Sequence, residues 1–357
     1  MPPYHILVIN PGSTSTKVAV YEDERPLCVS TIRHQPDELA AYAQIIDQHD
    51  FRRQLVTDWL AQNDIPLRFD AIIGRGGLIK PIPGGVYRVN RKMCFETYYA
   101  LRKHACNLGC ILAYELAKEQ GGGCQAYIAD PVTVDELVPE ARVSGSPLMP
   151  RLAIWHALNQ RAIARRYAHQ VGCSYNDLNL IVCHLGGGIS VAAHEHGRAI
   201  DANNALDGEG PLSPERAGTL PAADLIHLCY SGRYTEEQLK KRVAGQAGLM
   251  AHLGTTDILQ IMQMIEQGNE RARLLINAMI FHTAKQIAAE GAVLCGRVDA
   301  ILLTGGMAHS AYITEGIKQR VSYLAPVHVF PGEDEMEALA LNALAVLRGE
   351  CQAKEYE

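Results

Sequence analysis

A strand, a polar glycine-containing turn and a second strand occur once in each half of this chain. That repeat narrows the possible folds more than any other feature. The first copy is Ile6–Tyr21, I-L-V-I-N-P-G-S-T-S-T-K-V-A-V-Y, whose apolar, partly β-branched runs Ile6–Ile9 and Val18–Tyr21 read as strands. The second is Leu180–Ile200, L-I-V-C-H-L-G-G-G-I-S-V-A-A-H-E-H-G-R-A-I. Set in register, Ile6-Leu7-Val8-Ile9 stands over Leu180-Ile181-Val182-Cys183, Asn10 over His184, and Glu22–Arg25 over Glu195–Arg198. The separation is far longer than a solenoid unit, so it predicts a duplicated domain. A third apolar run ends in Leu302-Leu303-Thr304-Gly305-Gly306-Met307. Strand-to-glycine turns spread over two half-chains suggest a nucleotide held in a cleft between the halves.

The first turn gathers Asn10, Gly12, Ser13, Ser15 and Lys17 on a small radius. Backbone N–H groups, hydroxyls, an amide and one cation suit an anionic phosphate. The G-x-x-x-x-G-K-[ST] spacing is absent and no helix pattern follows, so this is not a Walker A loop. On this stretch alone a Ser/Thr-rich hairpin without a ligand stands equally open.

The 357 residues exceed one ordinary core and predict two domains. With 48% hydrophobic and 20% charged residues the chain is globular, and a net charge of −6 gives nucleic-acid binding no electrostatic support. No signal-peptide pattern and no run of membrane-spanning length is visible, which points to a cytoplasmic protein. The ten cysteines show no C-x-x-C pair or ligand spacing and read as buried free thiols, among them Cys183, Cys229 and Cys295.

Apolar spacing predicts one helix over Pro36–Asn63, a strand over Phe69–Ile73 running into Gly74-Arg75-Gly76-Gly77, and a loop over Pro81–Asn90. A helix over Glu96–Gln120 follows, then a strand over Gln125–Ala129 ending at Asp130. A long helix is expected over Ala153–His169, with Arg161, Arg165 and Arg166 on a solvated face. Downstream, helices are expected at Pro221–Ser231, Asn269–Leu294, His309–Leu324 and Glu333–Leu347, and strands at Val298–Thr304 and Val327–Phe330. Arg75, flanked by glycines at a strand end, stands where α/β proteins place site residues; the bland alternative is a surface turn. Asp130 is a helix cap or a Mg²⁺ ligand, and His156 a packed helical histidine or a site residue.

These residues also form a set. N-P-G-S-T-S-T-K at 10–17, G-R-G-G at 74–77, A-D-P-V at 129–132, I-W-H-A-L-N-Q at 154–160 and C-H-L-G-G-G at 183–188 are part of it. So are G-P-L-S-P-E-R-A-G at 210–218, A-H-L-G-T-T-D at 251–257, L-T-G-G-M at 303–307 and P-G-E-D-E-M-E-A at 331–338. Jointly they make the chain resemble, over essentially its whole length, the acetate/butyrate kinase family, and within it the kinases of butyrate and branched fatty acids. The resemblance implies α/β architecture: two duplicated domains of the acetate and sugar kinase/actin-like fold with a nucleotide cleft between them. It implies domains over 1–152 plus the returning 335–357, and over 153–334. It further implies a homodimer, ATP/ADP with Mg²⁺, and a short-chain carboxylic acid as substrate.

By position, the resemblance assigns Asn10, Ser13, Ser15 and Lys17 to a first phosphate loop and Gly186, Gly187 and Gly188 to a second. Arg75 and Arg216 match active-site arginines, His156 and His184 active-site histidines, and Asp130 an aspartate near the transferring phosphate. Glu335, or else Glu333, matches the magnesium-linked glutamate, with Asn10 beside it. Asp257, Gly305, Gly306 and Met307 would form an adenosine pocket. Gly187 stands where acetate kinases carry an asparagine, so its phosphate contact falls to backbone. Gly76 and Gly77 replace a bulkier residue, which implies room for a longer acyl chain, and Trp155 would narrow that pocket again.

Overall fold

The computed structural model describes residues 2–100 and 104–357. The chain divides into two compact units, one of residues 1–134 and 334–357 and one of residues 135–333.

In the first unit the opening repeat forms β1 (His5–Pro11), β2 (Ser15–Glu22) and β3 (Arg25–Arg33), joined by tight turns as an antiparallel meander. The third of these strands goes beyond the sequence reading. The expected helix over 36–63 is broken into α1 (Pro36–Ala40), a 3₁₀ turn at Ile45–Gln48 and α2 (His49–Gln62). Next come β4 (Ala71–Arg75), β5 (Val86–Arg88), α3 (Arg91–Tyr98), α4 (Leu108–Gln120) and β6 (Gln125–Ala129). β5 lies inside the expected loop 81–90, and the expected helix 96–120 is two helices; residues 101–103 of that stretch lie outside the described residues. The sheet runs β3-β2-β1-β4-β6-β5, with β4 and β6 parallel to β1.

The second unit repeats the plan. α5 (Pro139–Arg142) and α6 (Ala157–Gln170) precede β7 (Asn179–Leu185), β8 (Ile189–Glu195) and β9 (Arg198–Ala202). A helical stretch follows: α7 (Ala222–Tyr230), α8 (Glu236–Val243), α9 (Gly248–Leu253), α10 (Ile258–Glu266) and α11 (Glu270–Val293). Then come β10 (Ala300–Gly305), α12 (Ala311–Val321) and β11 (Val327–Pro331). Here the five-stranded order β9-β8-β7-β10-β11 reproduces β3-β2-β1-β4-β6 of the first sheet, without a counterpart of β5, and β10 is parallel to β7 as β4 is to β1. The last helix, α13 (Glu335–Leu347), belongs to the first unit and packs on β1, β4 and β6. Residues 135–152, expected with the first domain, go with the second. Glu136 accepts from Arg161, Val138 N–H donates to the Ile200 carbonyl, and Arg151 donates to Glu209 at 2.6 Å.

Strand alternation decides which side chains meet which helices. In β7, Ile181, Cys183 and Leu185 face the core under α11 and α12, whereas Leu180 and Val182 pack with Ile163, Ala164 and Tyr167 of α6. Arg161 does not lie on a solvated face: it is buried and paired with Glu136 at 3.0 Å. Of the three cysteines read as buried, Cys183 is, but Cys229 and Cys295 are exposed. Among the described residues no helix is long and apolar enough to cross a membrane.

One close approach sets Arg75 in place. A Cβ on Gly74 would overlap the Gly109 carbonyl oxygen, and one on Gly109 would overlap the Arg75 carbonyl oxygen. Only hydrogen at both positions lets α4 cross β4 this tightly. Gly109→Ala is expected to lower the unfolding free energy by about 1–3 kcal/mol through overpacking. Urea denaturation measures it, and an unchanged midpoint would contradict the packing.

Candidate functional site

In the first unit the strand ends β1 and β4 present Asn10 and Arg75, and the first turn of α13 presents Glu335. These three side chains meet: Glu335 Oε2 accepts from Asn10 Nδ2 at 2.7 Å and forms an ion pair with Arg75. Asn10 is nearly buried, and Lys17 pairs opposite it across the hairpin, with its side chain exposed. Ser13 is exposed and Ser15 half-buried at the same turn.

The turn is held from beneath by a residue the sequence reading passed over. Arg52 of α2 is fully buried, and its guanidinium Nη1 donates to the carbonyls of Gly12 at 2.8 Å and Ser15 at 3.1 Å and to Thr16 Oγ1 at 3.1 Å. Nη2 reaches the Ser13 carbonyl at 3.4 Å, and Gln48 Oε1 accepts from Nε and Nη2. Burial lowers the Arg52 pKa to about 10, which leaves it charged at neutral pH. The signal was present: Arg52 lies four and seven residues before the buried Val56 and Trp59, on the inward stripe of the helix.

His34 completes this layer, its Nε2 lying 2.9 Å from Thr16 Oγ1. Thr16 Oγ1 thus pairs with both Arg52 and His34 beneath the turn. Burial first, then the Arg52 charge, pushes the His34 imidazole down to about 4.

Asp130 follows β6 with a positive φ of 38°, uncommon for a non-glycine residue. It clasps Gly85 twice: Oδ1 accepts the Gly85 N–H at 2.7 Å, and the Asp130 N–H donates to the Gly85 carbonyl. Gly76 and Gly77 do not open a pocket. A Cβ on Gly76 would lie 2.6 Å from Pro131 Cβ, and one on Gly77 2.5 Å from Asn107 Cα, so neighbouring atoms fill the space that a larger residue would need.

In the second unit the pleat places His184 on the α6 side of β7, and Ser190 and His194 on the same side of β8. α6 meets that face with His156 at its N-cap and Asn159 and Gln160 one turn on, a spacing that puts all three on one side of the helix. The rings of His156 and His184 stack 3.8 Å apart at 11°. His156 Nδ1 contacts Ser190 Oγ at 2.8 Å, His184 Nδ1 contacts Asn159 Oδ1 at 2.8 Å, and His184 Nε2 lies 3.4 Å from Glu333. Glu333 and Glu335 thus stand in different company, Glu333 with His184 and Glu335 with Asn10 and Arg75.

The Gly186–Gly188 turn adjoins this pair, and the Gly187 carbonyl accepts from Ser213 Oγ and from the Glu215 N–H. That ties the glycine turn to the loop bearing Arg216. Arg216 Nη1 reaches Glu215 at 3.2 Å, while its Nε is buried without a hydrogen-bond partner among the described residues.

The expected adenosine pocket fares unevenly. Gly305 and Gly306 do end a strand, but Met307 is buried in the hydrophobic core. Asp257 is the N-cap of α10, where its carboxylate accepts from the Leu259 and Gln260 N–H groups. Trp155 is almost fully buried, edge-on to His194, so it packs the interior instead of lining an open pocket.

Two expected outcomes follow from the Arg52 layer. Arg52→Met leaves several buried carbonyls without donors, each costing about 1–3 kcal/mol, so a loss of about 3 kcal/mol or more is expected in urea denaturation. Faster amide exchange over residues 12–16 should accompany it, and exchange at the parent rate would contradict the clamp. Because the folded state lowers the His34 pKa, stability present above about pH 6.5 is lost as pH falls toward about 4. His34→Gln should make that decline shallower, as followed by denaturation midpoints across the range.

Residues 153–328 match the Acetokinase family. A protein of Bacteroides thetaiotaomicron described as a probable butyrate kinase is 62% identical over 352 residues, covering 99% of each chain. Another of that description, from Phocaeicola vulgatus, is 52% identical over 351 residues, 98% of this chain and 99% of its own. Among solved structures, Porphyromonas gingivalis acetate kinase matches with a TM-score of 0.80 at 17% identity, covering 96% of this chain and 100% of its own. A propionate kinase from Francisella tularensis gives 0.77 at 17%, covering 95% and 98%. At such identity these structures show the fold alone, and it is the expected acetate kinase fold.

Proposed function

The chain belongs to the acetokinase family, and from that premise we propose that it phosphorylates butyrate and neighbouring short-chain acids reversibly. ATP and the carboxylate give acyl phosphate and ADP. The observation that carries this reading is the near-full-length identity to proteins described as probable butyrate kinases. The residue set agrees with it chemically.

A carboxylate has a reference pKa near 4, so at pH 7 it is already a nucleophilic anion and needs no general base. The obstacle is repulsion between that anion and the γ-phosphate. Permanently charged, bidentate arginines answer it, as Arg75 and Arg216 would, and one such donor is typically worth about 3–4 kcal/mol in the transition state. In this reading Ser13, Ser15, Lys17 and the Gly186–Gly188 backbone hold phosphate oxygens. His156 and His184 donate to the group in transfer, and Asp130 keeps the segment after β6 in register with Gly85. Hard divalent cations take oxygen ligands and keep much of their water. Glu335 Oε1 and Asn10 Oδ1 are ligands of that kind, so these residues fit Mg²⁺. When bound, it would supply charge against the phosphate oxygens. Gly305 and Gly306 are the candidates for the nucleoside.

Arg75→Ala is expected to lower kcat by about 10²–10³ while the fold survives. A near-normal kcat would remove Arg75 from the site. For the substrate, hydroxamate trapping of acyl phosphate across acids of two to five carbons should give a kcat/KM peak at four or five. Neighbouring acids should differ by about fourfold per methylene, from about 0.8 kcal/mol each. A peak at two or three carbons would make the protein an acetate or propionate kinase. ATP hydrolysis without acyl phosphate from any acid would contradict the carboxylate-kinase reading altogether.

A further inference from the structure

His156 does not stand alone behind its contact with Ser190. A continuous set of buried polar groups runs from it across the α6-facing side of β8, and one backbone carbonyl fixes the direction of every proton in the set.

Gln160 Nε2 lies 3.1 Å from the Ser190 carbonyl oxygen and 2.8 Å from Ser190 Oγ. A carbonyl only accepts, so the NH₂ end of Gln160 must face Ser190, and its Oε1 faces His194 Nε2 at 3.2 Å. An amide oxygen also only accepts, so His194 carries its proton on Nε2. Burial, then the charges of Arg161 and Arg165, lowers the His194 pKa to about 3, so the ring is neutral and its Nδ1 accepts the Tyr175 hydroxyl at 2.6 Å. At the other end, Ser190 Oγ accepts from Gln160 Nε2 and from the His156 backbone N–H at 3.3 Å. Both lone pairs are then used, and its single proton points to His156 Nδ1 at 2.8 Å. Ser190, Gln160 and His194 are all buried, so water does not compete for these bonds.

We propose that Ser190, Gln160 and His194 are positioning residues forming a one-way hydrogen-bond relay. The relay holds His156 as the neutral tautomer with its proton on Nε2. His156 then meets the transferring phosphoryl group as a neutral hydrogen-bond donor, neither as an imidazolium nor as a base. An Nδ1 proton would need a third lone pair on Ser190 Oγ, which it lacks. The stack against His184 works in the same direction, because two parallel imidazolium rings at this spacing would repel. The role at the phosphoryl group rests on the proposed carboxylate-kinase function; the tautomer does not.

The test is a long-range ¹H–¹⁵N correlation spectrum of the full chain labelled at histidine, with His156 assigned by its loss in His156→Gln. A pyridine-type Nδ1 and a pyrrole-type Nε2 at neutral pH are expected. A protonated Nδ1 overturns the proposal. Ser190→Ala should abolish the tautomer bias and lower kcat by about tenfold or more, with KM for acid and for ATP within about twofold. Parent kcat in that variant, with the bias gone, overturns the positioning role. The spectrum needs no substrate, so a failed tautomer is distinct from failure of the kinase reading, which would show as no acyl phosphate from the parent protein.

Discussion

One carboxylate oxygen organises the first unit. Glu335 Oε2 takes hydrogen bonds from Asn10 at the end of β1 and from Arg75 at the end of β4. It stands in the first turn of the last helix, 325 residues downstream of Asn10. The contact fixes where α13 returns to the first sheet, and it holds a permanently charged guanidinium at a strand end, where α/β folds put their chemistry. A half-buried arginine without such a partner would be drawn out to water.

The two units hold their candidate site residues in different ways. In the first, a buried guanidinium engages the carbonyls of the Asn10–Lys17 turn and pins it from behind. In the second, neutral groups meet the Nδ1 atoms, Asn159 against His184 and the Ser190 relay against His156, and the Glu333 carboxylate faces His184 Nε2. Both devices suit the chemistry proposed. A loop meant for phosphate gains from a fixed cation beneath it.

Much of the fold was legible because the repeat is periodic and its strands apolar, and the second sheet reproduces five of the six strands of the first. Helix breaks were not: the stretch 36–63 carries helical spacing throughout, but the chain turns at Ala41–Gln44, and no proline or glycine marks that turn. Arg75, His156, His184 and Glu335 were singled out from motif and position, and each has a side-chain partner in the structure. Arg52, Ser190 and Gln160 were missed because they belong to no phosphate-binding pattern. Their signal was geometric: a cation on a buried helical stripe, a serine that shares one face of β8 with Ala192 and His194, and a glutamine one turn after His156 on the helix that packs on that face. Gly76 and Gly77 went the other way. Small residues read as space, whereas Pro131 and Asn107 occupy it. A glycine shows only what is missing from its own side chain, never what has moved in.

In the proposed reaction a carboxylate oxygen attacks the γ-phosphorus of ATP. Butyrate labelled with ¹⁸O in its carboxyl group, incubated with the protein, ATP and Mg²⁺ and then trapped with hydroxylamine, tests it directly. Hydroxylamine attacks the carbonyl carbon, so the released phosphate keeps the bridging oxygen. One ¹⁸O is expected in that phosphate, visible as an isotope shift in its ³¹P resonance. Unlabelled phosphate formed at the rate of ADP production would contradict it.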